Sequence, residues 1–142
     1  MGTNASASVI LPAILFLVAI FLSFSTGTSW GTFAILVPIA IAMFPGADDM
    51  QMMIIAVSAV LSGAVCGDHI SPISDTTVMS SAGAQSNHIN HVTTQMQYAA
   101  VVAVVSAVGF LLAGFVHVWW IVLGVSLILL LAVLTVLRKV AK

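Results

Sequence analysis

"GDHISPISDTT", residues 67–77, decides how this chain is read. It holds two of the four acidic residues, Asp68 and Asp75, in a sequence without Glu. An apolar run precedes it and a polar stretch follows. Pro72 pushes Ser71 out of the helical region and removes a backbone donor, so a helix arriving from the N-terminal side ends near Gly67–Asp68. Ser74, Asp75 or Thr76 can cap a second helix running on through Met79. The stretch therefore reads as the unwound middle of a broken helix.

The solvent around that break follows from composition. The chain is 61% hydrophobic and 5% charged, with a mean hydropathy of +1.24. So few charges cannot cover a water-soluble surface, and the partner implied is a lipid bilayer. A net charge of −1 offers no basic patch for nucleic acid. One cysteine, Cys66, excludes an internal disulfide and a multi-cysteine metal site. Residues 1–8 hold no Lys or Arg, which does not fit a signal peptide.

Five apolar runs stand out: Val9–Phe24, Phe33–Phe44, Met50–Cys66, Tyr98–Phe115 and Trp119–Leu137. At 1.5 Å per residue the last is about 28 Å long, and the fourth reaches about 36 Å when extended back to Val92. Both can span. The first, about 24 Å, and the second, about 18 Å, look short for a core of about 30 Å. Between them lies "STGTSWGT", residues 25–32, rich in Gly and hydroxyls and free of charge. Two readings stay open here: a re-entrant hairpin turning inside the membrane, or two short spans kinked at Pro38. Pro45 and Gly46 then stop the second run, and Asp48 or Asp49 caps the helix beginning at Met50.

The expected fold class is all-α and polytopic, a single membrane domain over 1–142. It contains a re-entrant helical hairpin over 9–44, one broken transmembrane helix over 50–85 and two further transmembrane helices over 92–115 and 119–137. Ala59, Gly63 and Gly67 form a small-residue stripe suited to close helix packing, as do Ala99, Ala103 and Ala107. Arg138, Lys139 and Lys142 are the only basic residues, so the positive-inside rule places the C-terminus in the cytoplasm. Counting back, residues 117–120 lie outside, residues 86–91 lie inside, and the hairpin opens from the outside.

Unwound backbone at membrane depth leaves carbonyls that favour a cation and N–H groups that favour an anion. Na⁺ is a hard cation that prefers oxygen. Asp68, Ser71, Ser74, Asp75, Thr76 and Thr77 offer carboxylates and hydroxyls in one short stretch, with Asp68 and Asp75 as candidate Na⁺ ligands and proton carriers. His69 is a candidate proton relay. Thr26, Thr28 and Ser29, at the hairpin tip, are candidates to close the site from the facing side. His88 and His91 share a helix face, but lack a Cys or carboxylate to complete a metal site and read as a solvated interfacial pair, as does His117 beside Trp119. Hydrolysis is the rival chemistry. The aspartyl type lacks its glycine, Val65 standing at that position, and no GxSxG turn supports a Ser71–His69 nucleophile.

Residues from Ser25 to about Gln97 resemble the C-terminal half of the NhaC family of Na⁺/H⁺ antiporters. The matching stretches are "STGTSWGTF" at 25–33 and "GDHISPISDTTVMSSAGAQSNHINHVTTQ" at 67–95. The resemblance implies an inverted-repeat transporter that exchanges Na⁺ for H⁺, some relatives coupling this to organic solutes such as malate and lactate. It implies no cofactor beyond the transported ions. The family's Gly-Asp…Ser-Pro-x-Ser-Asp-Thr-Thr motif normally appears in each half, and this chain has it once. The expectation is therefore a fragment or half-transporter of the prokaryotic inner membrane. It would work with a second half-transporter chain, with a missing N-terminal repeat, or as a homo-oligomer of inverted protomers. A non-transporting remnant or assembly subunit is the alternative.

Overall fold

The computed structural model describes residues 5–46, 50–116 and 118–140. Asp48, Asp49, His117 and Lys142, to which the sequence assigned roles, lie outside the described residues. The order is α1 (Ala5–Thr26), α2 (Ser29–Ala42), α3 (Met50–Ile70), α4 (Asp75–Gly83), α5 (His88–Phe115) and α6 (Trp119–Val140), with no strand among the described residues. The chain is an all-helical, polytopic membrane protein: α1, α3, α5 and α6 are each long and apolar enough to cross a bilayer. At 14 residues, α2 is about 21 Å long and falls short.

The first run is longer than its apolar residues suggest. Helix α1 has 22 residues, about 33 Å, because Ala5–Ser8 precede the run and Ser25–Thr26 follow it within the helix. Hydroxyls explain the C-terminal extension. Ser25 Oγ donates to Phe21 O and Thr26 Oγ1 to Leu22 O, so both are satisfied inside the helix instead of marking a loop. The Gly- and hydroxyl-rich stretch 25–32 is accordingly helical except at Gly27 and Thr28. Gly27 takes φ +68°, a left-handed conformation that suits glycine, and donates to Ser23 O at 2.8 Å. Thr28 caps α2 by accepting from the Gly31 amide at 3.3 Å.

Helices α1 and α3 run parallel in close contact. Phe16 O lies against Gly63 and Ile20 O against Gly67, where an added Cβ would overlap the carbonyl. One turn further on, Ser71 Oγ donates to Phe24 O at 2.8 Å, and all three pairs keep the same 47-residue offset. Ala59, Gly63 and Gly67 are buried, so the first small-residue stripe is a packing surface against α1. The second stripe is only half-buried. Helix α5 instead buries Val105, Gly109, Ala113 and Gly114, with Gly114 against Val9 O of α1. The core joins α1, α2 and α3 through Leu15, Ala19, Leu36, Ala40, Ala56, Val60 and Ala64, with Phe44 just beyond the end of α2. No residue in the spanning window of α6 is buried in the protein.

Candidate functional site

The broken helix forms, with its first half longer than expected. Pro72 has no N–H to offer the Asp68 carbonyl, which accepts instead from the Ser71 amide at 3.1 Å. That tighter bond carries α3 to Ile70 and leaves residues 71–74 as the unwound link. Asp68 thus stands in the last turn of α3, not beyond its end. Ser74 occupies the N-cap position of α4 but makes no side-chain cap. Its hydroxyl turns back across the break instead.

That turn builds the site. Asp68 is 4% exposed. Its Oδ1 accepts from Ser74 Oγ at 2.8 Å. Ser74 has one hydroxyl hydrogen, which the carboxylate takes, so the 2.8 Å contact between Ser74 Oγ and Thr76 Oγ1 has Thr76 as donor. Thr77 Oγ1 donates to His69 O at 3.1 Å and lies 3.5 Å from Asp68 O. Every Lys and Arg of the chain lies between 138 and 142, far along the sequence from this carboxylate. A buried carboxylate without a cationic side chain is costly. A bound proton or a bound cation relieves that cost.

The remaining candidates divide. Ser71 is fully buried beside the cluster, but its hydroxyl is committed to Phe24 O. Asp75 is exposed, and its Oδ1 accepts from the Thr76 amide at 2.8 Å. His69 is exposed, with Nδ1 donating to Val65 O at 2.9 Å. Ser71 and His69 therefore face separate partners and do not pair with each other. Asp68 O, His69 O, Ser71 O and Pro72 O each accept a hydrogen bond, so the carbonyls near the break are less open to a cation than unwinding alone suggests. No group of three His, Cys, Asp or Glu among the described residues forms a metal cluster.

The hairpin tip meets the break through its backbone. Thr26 and Thr28 spend their side-chain oxygens within α1 and at the α2 cap, and Ser29 opens α2. Gly27 is the contact: a Cβ there would lie 2.9 Å from Ile73 Cγ1 and 3.0 Å from Ile73 O. Ser23 Oγ adds a buried 2.6 Å bond to Ala64 O. Sequence reasoning missed Ser23 and Gly27, although a hydroxyl inside an apolar run was a visible signal for the first. It also read His88 as solvated. In the structure His88 Nε2 lies 2.8 Å from Pro72 O and Nδ1 lies 2.9 Å from Ser81 Oγ. A cavity of about 630 Å³ lies apart, between α3, α5 and α6, and its lining, including Ile55, Phe110 and Leu123, holds no titratable group.

The site is thus a buried carboxylate that accepts a hydrogen bond from one hydroxyl, that of Ser74, across a helix break. The sequence matches the Na⁺/H⁺ antiporter family over residues 3–115. The chain belongs to that family. An uncharacterised protein of Haemophilus influenzae is 54% identical over 107 residues, covering 75% of this chain and 20% of that protein. The malate-2H⁺/Na⁺-lactate antiporter of Bacillus subtilis is 33% identical over 111 residues, covering 78% of this chain and 23% of that protein. The chain thus spans about a fifth of the length of these relatives. No solved structure matches.

Proposed function

We propose that this chain supplies one side of a Na⁺/H⁺ exchange site in a secondary transporter. The observation that carries the reading is the buried Asp68 carboxylate held by Ser74 across the break. Asp68 alternates between a proton and Na⁺, because each neutralises the same buried charge and only one fits at a time. Ser74, Thr76 and Thr77 supply hydroxyl oxygens, and Ser71 holds the segment to α1. Asp75, exposed at the start of α4, is a second candidate cation and proton carrier, and the exposed His69 a candidate proton relay. No catalytic step and no cofactor is involved; Na⁺ and H⁺ are the cargo.

One broken helix is half of such a site. The chain therefore acts with a further transporter segment, either a second half-transporter chain or the repeat that would precede it in a longer protein, or as a homo-oligomer of inverted protomers. It sits in the cell membrane of a prokaryote with Arg138 and Lys139 on the cytoplasmic side. The similarity to the malate-2H⁺/Na⁺-lactate antiporter of Bacillus subtilis supports coupling of this exchange to an organic acid.

The test is Na⁺-driven proton movement in proteoliposomes, read with a pH-gradient dye, using this chain co-produced with the remaining transporter segment. Exchange that needs both parts and is lost in Asp68→Asn supports the reading. Undiminished exchange in Asp68→Asn would sink it.

A further inference from the structure

His88 opens α5, one residue after the N-cap Asn87. Its ring touches two other elements: Nε2 lies 2.8 Å from Pro72 O in the unwound link, and Nδ1 lies 2.9 Å from Ser81 Oγ in α4. One imidazole thus joins the break, the short half-helix and the long helix that follows.

The hydrogens can be assigned by counting. Pro72 O only accepts, so Nε2 carries a hydrogen. Ser81 has one hydroxyl hydrogen and two acceptors in reach, Val78 O at 2.9 Å and His88 Nδ1 at 2.9 Å. In the neutral ring Nδ1 must accept, so Ser81 turns its hydrogen to the ring and Val78 O loses it. In the imidazolium both ring nitrogens donate. Ser81 Oγ then accepts, and its hydrogen returns to Val78 O. The charged network makes three hydrogen bonds where the neutral one makes two, and two of the three are charge-assisted.

We propose that His88 is a positioning residue of the broken helix, and that protonation of its ring tightens the hold of α5 on Pro72. That hold sets the geometry of residues 71–74, the link between Asp68 and Asp75. The other titratable groups on α3, α4 and α5 are Cys66, Asp68, His69, Asp75, His91 and Tyr98, and α6, which packs along α5, adds Arg138 and Lys139. Among the described residues none of them hydrogen-bonds the ring. The consequence for transport rests on the proposed exchange site: a proton on His88 alters Na⁺ binding through the backbone instead of competing for Asp68. The clamp itself does not depend on that site.

Hydrogen exchange of the Ser71, Ile73 and Ser74 amides tests the clamp in the purified chain in lipid nanodiscs, with no transport required. Protection, corrected for intrinsic exchange, should be about fivefold higher at acid pH than at alkaline pH, the effect of one hydrogen bond. His88→Gln, which keeps an amide donor but does not titrate, should show equal protection at both, and His88→Ala low protection at both. A wild-type chain without the step, or a step that persists in His88→Gln, overturns the proposal. Nitrogen NMR of the wild-type imidazole reads the same claim without any variant. A ring whose Nε2 carries no hydrogen, or whose Nδ1 gains none on acidification, overturns it too.

Discussion

Ser74 Oγ donates a 2.8 Å hydrogen bond to Asp68 Oδ1, joining the end of α3 to the start of α4 across the unwound link. The serine gives up its own helix cap to make this bond. A neutral hydroxyl thus holds the one described carboxylate that the fold buries, and a proton or a cation completes the neutralisation.

Ser74→Ala should weaken apparent Na⁺ affinity. A hydrogen bond to a charged group is worth about 1.5–3 kcal/mol, which corresponds to a loss of about tenfold to a hundredfold. The check is the Na⁺ concentration giving half-maximal exchange in the assembled transporter. Thr76→Ala, one bond further from the carboxylate, should move it less.

Asp68 and Asp75 should separate on mutation. Asp68→Asn removes the buried charge and should abolish exchange. Asp75 is exposed and accepts from the Thr76 amide, so Asp75→Asn should leave measurable exchange with a shifted Na⁺ dependence. Equal loss in both variants would mean that the exposed carboxylate carries the ion as well.

Gly63→Ala and Gly67→Ala should each destabilise the chain, because the new Cβ meets Phe16 O or Ile20 O on the neighbouring backbone. Overpacking of this kind costs about 1–3 kcal/mol. Gly124→Ala is the matched control: nothing lies within 4 Å of its added Cβ, and a mid-helix alanine gains about 0.5–1 kcal/mol over glycine. Thermal unfolding in detergent distinguishes the three.

Gly27→Ala should loosen the hairpin tip from the break. The left-handed φ of +68° strains an L-residue by about 1–2 kcal/mol, and the methyl group meets Ile73. Faster hydrogen exchange at residues 71–74, with α1 unchanged, is the expected outcome.

Much of the architecture was legible because its signals are local. Pro72 broke the helix at the motif, and the small-residue spacing of Ala59, Gly63 and Gly67 marked a helix-packing face. Local signals also misled. Hydroxyls at 25–32 read as a loop, because sequence does not reveal that Ser25 and Thr26 bond back to their own helix. Ala99, Ala103 and Ala107 had the same spacing as the first stripe, yet α5 turns another face inward. In lipid both the buried and the outer faces of a helix are apolar, so hydropathy does not tell them apart.

Composition, proline placement and the run of carboxylates and hydroxyls at 68–77 determined by themselves that the chain is a helical membrane protein with a break in it. Tertiary structure decided which of those oxygens meet. It set the parallel pairing of α1 with α3, Ser71 on Phe24 O, and His88 on Pro72 O. Those pairs stand 47 and 16 residues apart, and such bonds leave no mark on the local pattern. They form only because glycines bring two helix backbones together and the unwound link leaves the Pro72 carbonyl open for the imidazole to reach.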